Sequence, residues 1–388
     1  MIKKTFRSEW FGGFEYSWED NYISEFNPAD FADRATESGL IRDPAENYMP
    51  FPLKVNIDTT YFCNKDCIYC HSNSSPSRYA EMVNEISVGD ICQIIDDCER
   101  MGVLQVALTG GEALLKPGIW EALETVGGKK GMFSSLISNG TGMTAKRVSR
   151  IQNSGVSRVS VSLDGFSGAN DLHRWKGAYG QTVKGIQLLL EGGVQVGVIS
   201  VITKHNFRDF KSFVGVLYEM GVRNHSVLTL GNVGRAKKNW MGISHGQFVE
   251  FSEMMTSLRA EMAERGYLLT FNDALLARGD KPDRLSIYSF TDAVPGWKCV
   301  VRPTGVIEND RVWGVGFPLG NVRTESFYDI WTGSEGKRSA QLKQTYDALR
   351  ENRLLDVYAR VSSDSQYTWD WLSALDNYYP SRLNSNGI

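Results

Sequence analysis

The sequence contains no long hydrophobic run and no excess of charge of either sign. Its most apolar stretch, GIQLLLEGGVQVGVISVIT, is interrupted by Gln187, Glu191 and Gln195 and is too polar to cross a bilayer. The N-terminus MIKKTFRSEWFGGFEY lacks the apolar segment of a signal peptide. A formal net charge of −3 gives no basic surface that would indicate a nucleic acid partner. These absences predict a cytoplasmic protein that binds neither membrane nor nucleic acid.

Cysteine and histidine are scarce as well. Six cysteines in 388 residues are too few for a disulfide framework. The five histidines are scattered and have no spacing typical of a metal site. Half of the cysteines nevertheless fall within the eight residues CNKDCIYC, as Cys63, Cys67 and Cys70. In a reducing compartment so tight a cluster indicates metal binding or catalysis.

Short β-rich runs alternate with helical patterns from about residue 53 to residue 235. Most of these runs are apolar on both faces, as expected of parallel strands covered by helices. The strand candidates are 53–59, 103–109, 132–138, 157–163, 194–202 and 225–230. Six β/α units predict an α/β fold, a partial (β/α)6 TIM-like barrel with its site at the C-terminal ends of the strands.

Four regions follow from this pattern. They are an N-terminal extension at 1–50, the barrel at 51–240, a helical linker at 241–289 and a C-terminal domain at 290–388. The segment SVGDICQIIDDCERMG predicts a helix that Ser87 and Asp90 cap. Cys92 and Cys98 belong to this helix, and Cys98 lies on its apolar stripe, so both are predicted to be core residues rather than ligands.

The spacing C-x3-C-x2-C directly follows the first predicted strand. Soft thiolates select iron–sulfur clusters or zinc, and three of them suit a [4Fe–4S] cluster with one iron left open. The alternative is a structural zinc ion with a distant fourth ligand such as His71. Zinc sites usually combine two C-x2-C pairs, or cysteines with paired histidines, and neither pattern is present. The spacing favours iron–sulfur and leaves zinc open.

Several further motifs occur in a fixed order after the cysteines. They are LTGGEALL at 108–115, ISNGT at 137–141, VSLDG at 161–165 and GNVGRA at 231–236. Together with CNKDCIYC, which has Tyr69 at its aromatic position, they resemble the radical S-adenosylmethionine (SAM) superfamily over about residues 50–240.

The resemblance implies a role for each matching residue. Cys63, Cys67 and Cys70 would ligate one [4Fe–4S] cluster, whose open iron SAM would chelate. Residues expected to contact SAM are Tyr69 near the adenine, Gly110, Gly111 and Glu112 near its ammonium group, and Ser138, Asn139, Ser162 and Asp164 near its ribose or carboxylate. Lys176 occupies roughly the place of an arginine in relatives. An electron from a flavodoxin- or ferredoxin-type donor would cleave SAM to a 5′-deoxyadenosyl radical.

The segment 296–333 resembles the SPASM/twitch domain of radical SAM peptide maturases, so a β-hairpin is expected there, with a Trp/Tyr-rich helical tail after it. Relatives carry several cysteines for an auxiliary cluster in this domain, whereas here no cysteine follows Cys299. One cluster is therefore expected. Cys299 has three interpretations: a buried strand residue, a hydrogen-atom donor to a substrate radical, or a ligand together with Asp310.

The N-terminal segment 7–40 resembles part of a PqqD-like peptide-recognition element, which would hold a leader peptide by adding a strand to a sheet edge. The alternative is a strand pair and a helix that cap the barrel. These features predict an enzyme that modifies a ribosomally made precursor peptide, in an epimerase-like reaction with Cys299 returning hydrogen. The alternatives are a carbon–carbon or cyclophane crosslinking enzyme, a small-molecule (sugar) epimerase, and a non-catalytic SAM- or zinc-binding module.

Overall fold

The structure, a computed structural model, describes 4–9, 12–17, 22–26, 32, 40–42, 52–231, 233–271, 285–286, 298–309 and 318–333. These residues form a five-stranded sheet and a ten-stranded sheet. No helix among them is long and apolar enough to cross a membrane.

An antiparallel meander begins the smaller, N-terminal sheet. Its strands are β1 (Lys4–Glu9), β2 (Gly12–Ser17), β3 (Tyr22–Phe26) and β4 (Leu40–Arg42). β4 lies parallel to β1 at one edge of the sheet. The buried Arg7 donates to the carbonyl of Pro52 at 3.1 Å, and Tyr16 packs edge-on against Phe133 at 6.5 Å between ring centroids. The N-terminal sheet therefore lies beside the residues at which barrel strands start.

The larger sheet contains seven parallel strands in sequence order. They are β5 (Lys54–Asp58), β6 (Gln105–Thr109), β7 (Phe133–Ser138), β8 (Arg158–Ser162), β9 (Val196–Ile202), β10 (Asn224–Thr229) and β11 (Leu268–Phe271). The connecting helices are α1 (Val88–Arg100), α2 (Ile119–Gly127), α3 (Ala145–Ser154), α4 (Ser167–His173), α5 (Ala178–Glu191), α6 (Phe210–Glu219) and α7 (His245–Glu264). Short 3-10 turns span Pro76–Asn84, Ala113–Leu115 and Gly234–Lys237. The predicted α/β fold and its six barrel strands are confirmed.

The segment 241–289 was predicted as a helical linker, and this is wrong for its later part. β11 pairs in parallel with β10, so α7 and β11 add a seventh unit to the barrel. Leu269 and Phe271 of β11 are buried in the core, which accounts for the pairing. A four-residue strand carries too little periodicity to stand out after a long helix. A further strand, β12 (Leu285–Ser286), pairs with β3 of the N-terminal sheet.

The C-terminal hairpin extends the barrel sheet at the free side of β5. Its strands are β13 (Lys298–Val301), β14 (Val306–Asn309) and β15 (Pro318–Asn321), and helix α8 (Phe327–Thr332) follows. β13 is parallel to β5, whereas β14 and β15 are antiparallel, so the predicted hairpin is confirmed. Arg302 joins the hairpin to the barrel through Asp58 of β5 at 2.7 Å, and it pairs with Glu308 of β14 within the hairpin at 2.7 Å. The predicted helical tail and Asp310 lie outside the described residues.

Helix α1 shows why the sequence folds this way around the barrel. Ser87 and Asp90 form the predicted capping box, which satisfies two backbone N–H groups at the start of the helix. Ile91, Ile94 and Cys98 are buried against the sheet. Cys98 is therefore a core residue, as predicted.

Candidate active site

The three clustered cysteines lie in one loop directly after β5, at the C-terminal end of the barrel. Cys63 is buried, whereas Cys67 and Cys70 are half-buried, and all three are free thiols. Backbone hydrogen bonds fold the loop back on itself, from Cys63 N to Ser75 O at 3.3 Å and from Cys70 N to Cys67 O at 3.2 Å. The loop lies at the edge of the sheet where the sequence placed the site.

A turn after β10 holds this loop from one side. Arg235 donates from its backbone N to Cys70 O at 2.9 Å, from Nε to Cys67 O at 2.7 Å and from Nη2 to Ser74 O at 2.9 Å. Gly234 has a φ of +55°, and a Cβ there would lie 2.2 Å from Cys70 O. The Gly-Arg pair thus fixes the backbone between two of the cysteines, a role that the sequence motif alone did not assign.

The GGE turn after β6 holds the loop from the other side. Gly111 N donates to Thr60 O at 2.6 Å, and Glu112 N donates to Phe62 O at 3.0 Å. A Cβ at Gly110 would lie 2.7 Å from Thr60 O, and one at Gly111 would lie 2.2 Å from Phe62 O. The two glycines are required by the approach of the cysteine loop itself. Whether they also approach SAM stays a prediction.

Glu112, Ser138 and Asn139 come together beside Cys63. The Glu112 carboxylate accepts from Ser138 Oγ at 2.9 Å and from Asn139 N at 2.8 Å. Asn139 Nδ2 donates to Asn64 Oδ1 at 2.8 Å and lies 3.9 Å from Cys63 Sγ. Burial raises the pKa of Glu112, and the hydrogen bonds from Asn139 and Ser138 oppose this shift. A carboxylate has about four lone-pair sites, so Glu112 can still accept from a ligand ammonium group.

Asp164 is fully buried, and its carboxylate has several donors within the chain. It accepts from Arg174 Nε and Nη2, both at 2.8 Å, from Val201 N at 3.0 Å and from the Tyr69 hydroxyl. Burial by itself would raise the pKa of Asp164, but Arg174 and His173 hold it well below its usual range. Asp164 thus positions Arg174 and Tyr69 next to the cysteine loop, and its contact with SAM stays a prediction.

Arg174 is the site residue that sequence reasoning missed. It pairs with Asp164, and its guanidinium carbon lies 5.6 Å from the centre of the Tyr69 ring. Lys176, which the sequence suggested in the place where relatives have an arginine, is exposed. The sequence contained a signal for Arg174, because it is a second cation, two residues before Lys176 in the segment HRWKG. Ser162 is half-buried at the end of β8, where the sequence expected it.

Cys299 lies away from the cysteine loop, in the hydrophobic core. Its strand register places it opposite Val55 of β5, and both side chains belong to the core cluster that contains Cys98 of α1. Cys299 has no exposed surface. A thiol that donates a hydrogen atom must be in contact with the substrate radical. The buried position of Cys299 therefore does not support the interpretation as a hydrogen-atom donor. The arrangement favours the interpretation of a buried strand residue.

The thiols have the chemistry of an iron–sulfur site. Burial raises the pKa of Cys63 to about 12 and also raises the pKa of Cys67, so these two thiols hold their protons at neutral pH when no metal is bound. A metal must therefore displace these protons to bind. Within the described part of the chain, no three His, Cys, Asp or Glu side chains are placed to bind one metal ion. Three thiols around one loop fit the donor set of a cluster.

Comparisons with known proteins agree with this chemistry. The family model of the radical SAM superfamily matches residues 57–217. Fe-coproporphyrin III synthase from Methanosarcina barkeri is 27% identical over 303 residues, which cover 72% of this chain and 74% of that protein. Mycofactocin maturase MftC from Mycobacterium ulcerans is 26% identical over 308 residues, which cover 74% of this chain and 76% of that protein.

A solved structure with the same fold is Streptococcus suis SuiB bound to its precursor peptide SuiA. Its TM-score is 0.66 at 17% sequence identity, and the match covers 87% of this chain and 90% of SuiB. SuiB has also been solved bound to S-adenosylmethionine. The chain thus contains, at residues 57–217, the domain of the radical SAM superfamily, whose cofactors are a [4Fe–4S] cluster and SAM.

Proposed function

We propose that this protein is a radical SAM enzyme that modifies a ribosomally synthesised peptide. The observation that carries SAM cleavage is the cysteine loop fixed between two glycine turns, with the buried Glu112 beside Cys63. Cys63, Cys67 and Cys70 would hold one [4Fe–4S] cluster. Glu112 would accept from the SAM ammonium group, and Ser138 and Asn139 fix its orientation.

When bound, the cluster and SAM supply a 5′-deoxyadenosyl radical that takes a hydrogen atom from the substrate. The chain's own residues hold the geometry for this step. Arg235 fixes the carbonyls of Cys67 and Cys70. The Asp164–Arg174 pair fixes Tyr69, which lies between these two cysteines in the chain. Preorganised polar groups of this kind avoid rearrangement during the reaction.

The N-terminal sheet supports a peptide as the substrate. β12 pairs only with Tyr22 and Ile23 of β3. Within the described residues, the rest of that edge, 24–26, presents its backbone groups for an added strand. The sheet contacts the starts of barrel strands, whereas the cysteine loop follows a strand end. A peptide held at β3 must therefore span about 20–30 Å, or roughly ten extended residues, to reach the site.

The fate of the substrate radical distinguishes two reactions. Epimerisation needs a hydrogen donor, and the buried Cys299 does not support the donor that the sequence suggested. Crosslinking of peptide side chains removes two hydrogens and needs no thiol donor. One hydrogen atom would go to 5′-deoxyadenosine, and the other would leave as a proton and an electron that the oxidised cluster would accept. Mass spectrometry separates them, because epimerisation in D2O adds deuterium at an α-carbon whereas crosslinking leaves a peptide lighter by two hydrogens.

Anaerobic reconstitution is the first experiment. Iron, sulfide and EPR measurements compare the wild type with the Cys63/Cys67/Cys70→Ala triple variant. We expect one four-iron cluster and 5′-deoxyadenosine formation in the wild type, and neither in the variant. A cluster retained by the triple variant would contradict the assignment of the site. A wild type that binds SAM without cleaving it would favour the non-catalytic module.

The second experiment identifies the substrate class. Peptides encoded by short reading frames beside the gene are incubated with reconstituted enzyme, SAM and dithionite, in parallel with iron coproporphyrin. The porphyrin is included because AdoMet-dependent heme synthases, which would form heme from a precursor porphyrin, are among the relatives. A mass change in a peptide supports the proposal. Conversion of the porphyrin with all peptides unchanged would replace it with a tetrapyrrole function.

A further inference from the structure

Three segments of the chain meet around the outer side of the cysteine loop. Ile68, which follows Cys67, donates from its N to His173 O at 2.9 Å and accepts at its O from Asn239 Nδ2 at 2.8 Å. The backbone N of Lys204 donates to Met241 O at 3.0 Å, which brings the loop after β9 to the same place. A molecule bound over Ile68 would lie one residue from a proposed cluster ligand.

Positive charge is concentrated on these segments. The exposed lysines are Lys176, Lys204, Lys237 and Lys238. None of them forms an ion pair within the described part of the chain. Two acidic neighbours are occupied, because Asp66 pairs with Arg235 at 3.1 Å and Asp171 accepts from two backbone N–H groups at 2.7 Å. A third, the exposed Asp209, lines the cavity that also contains Leu172 and His205. In a protein of net charge −3, four lysines without carboxylate partners form a local basic surface.

Large apolar side chains are exposed between these lysines. Trp175 is 55% exposed, Trp240 is 46% exposed and Leu172 is 51% exposed. The Trp240 ring packs on Gly242, where a Cβ would lie 2.3 Å from the indole. Leu172 also lines a cavity of about 310 Å³ with Phe166. Exposed tryptophans with a rim of charge are typical of protein–protein interfaces.

We propose that this surface docks an acidic one-electron donor protein of the flavodoxin or ferredoxin class. We name it the donor surface and define it by Trp175, Trp240 and the four lysines Lys176, Lys204, Lys237 and Lys238. The inference rests on the proposed function, which requires an external electron. In the docked complex the donor would lose one electron, and the cluster that Cys63, Cys67 and Cys70 would hold would gain it. The lysines would steer the acidic partner, so association is salt-dependent.

The test measures binding of purified flavodoxin to the reconstituted protein by isothermal titration calorimetry at low and at high salt. The double variant Lys204→Glu/Lys238→Glu reverses two charges of the donor surface. The control Lys130→Glu/Lys184→Glu makes the same change in net charge on exposed residues elsewhere. We expect the double variant to raise the Kd at low salt at least about tenfold. The control should bind flavodoxin like the wild type.

Dithionite-driven 5′-deoxyadenosine formation separates this inference from the proposed function. Dithionite needs no docking surface, so the double variant should cleave SAM with dithionite at the wild-type rate but slowly with reduced flavodoxin. Equal flavodoxin binding by the double variant and the wild type would overturn the donor surface. An equal loss of flavodoxin binding in the control variant would also overturn the donor surface, because the loss would then follow from the change in net charge alone. Failure of the wild type with dithionite would refute the proposed function, and the binding comparison would still decide the surface.

Discussion

Replacing Gly111 with alanine tests whether contact between backbones fixes the cysteine loop. The added Cβ would lie 2.2 Å from Phe62 O, 2.7 Å from Phe62 C and 3.0 Å from Tyr61 O. Carbon–oxygen contacts are comfortable at about 3.3–3.6 Å. The two backbones must therefore separate by about 1 Å, because neither is the flexible end of a side chain.

The separation has a cost that the structure allows us to estimate. Overpacking costs about 1–3 kcal/mol. The hydrogen bonds from Gly111 N to Thr60 O, now 2.6 Å, and from Glu112 N to Phe62 O, now 3.0 Å, would lengthen. Each is worth about 1 kcal/mol. We expect Gly111→Ala to lower the free energy of unfolding by about 2–5 kcal/mol.

Urea unfolding of the cluster-free protein, followed by tryptophan fluorescence, measures this loss. The matched control is Gly180→Ala in α5, where a Cβ would meet nothing within 4 Å. This control should gain up to about 1 kcal/mol, because alanine is the better helix former. Iron content after reconstitution gives a second readout and should fall only in Gly111→Ala. A Gly111→Ala protein with wild-type unfolding and full iron content would refute the reasoning.

Three further predictions concern buried groups. Asp164→Asn leaves Arg174 without its ion-pair partner and should cost about 3–5 kcal/mol in urea unfolding; a loss below about 1 kcal/mol would contradict the pairing. Burial lowers the pKa of His225 to about 3, so below about pH 6.5 only the unfolded chain gains this proton. As the pH decreases from about 6.5 to about 3, His225 should therefore lower the free energy of unfolding by about 1.4 kcal/mol per pH unit. If His225→Gln left the slope of unfolding free energy against pH unchanged, the prediction would be refuted. Cys299→Ala should cost on the order of 1 kcal/mol through a small cavity near Cys98 and leave 5′-deoxyadenosine formation intact; lost SAM cleavage in a folded variant would show a functional thiol.

Local patterns in the sequence were enough to predict the barrel and the position of its site. Parallel strands covered by helices are apolar on both faces, so each of the six predicted strands was visible from its own residues. The loop from Cys63 to Cys70 and the GGE turn follow strand ends in the chain, and strand ends of a parallel sheet meet at one edge. Among the seven parallel strands β5 to β11, only β11 was not predicted, because four residues carry too little periodicity beside the long helix α7.

The role of each side chain was decided by the tertiary structure. The strand register places the Cys299 side chain in the core. The path of the chain after α4 brings Arg174, rather than Lys176, into contact with Asp164. The peptide-recognition role of segment 7–40 stays a prediction, although its described strands form a sheet with a partly open edge. The sequence by itself indicated which chemistry to expect, because the three thiols within eight residues occur in a fixed order with the GGE and strand-end motifs of the radical SAM superfamily. Which residues position that chemistry depends on contacts between distant segments, and these contacts exist only in the folded chain.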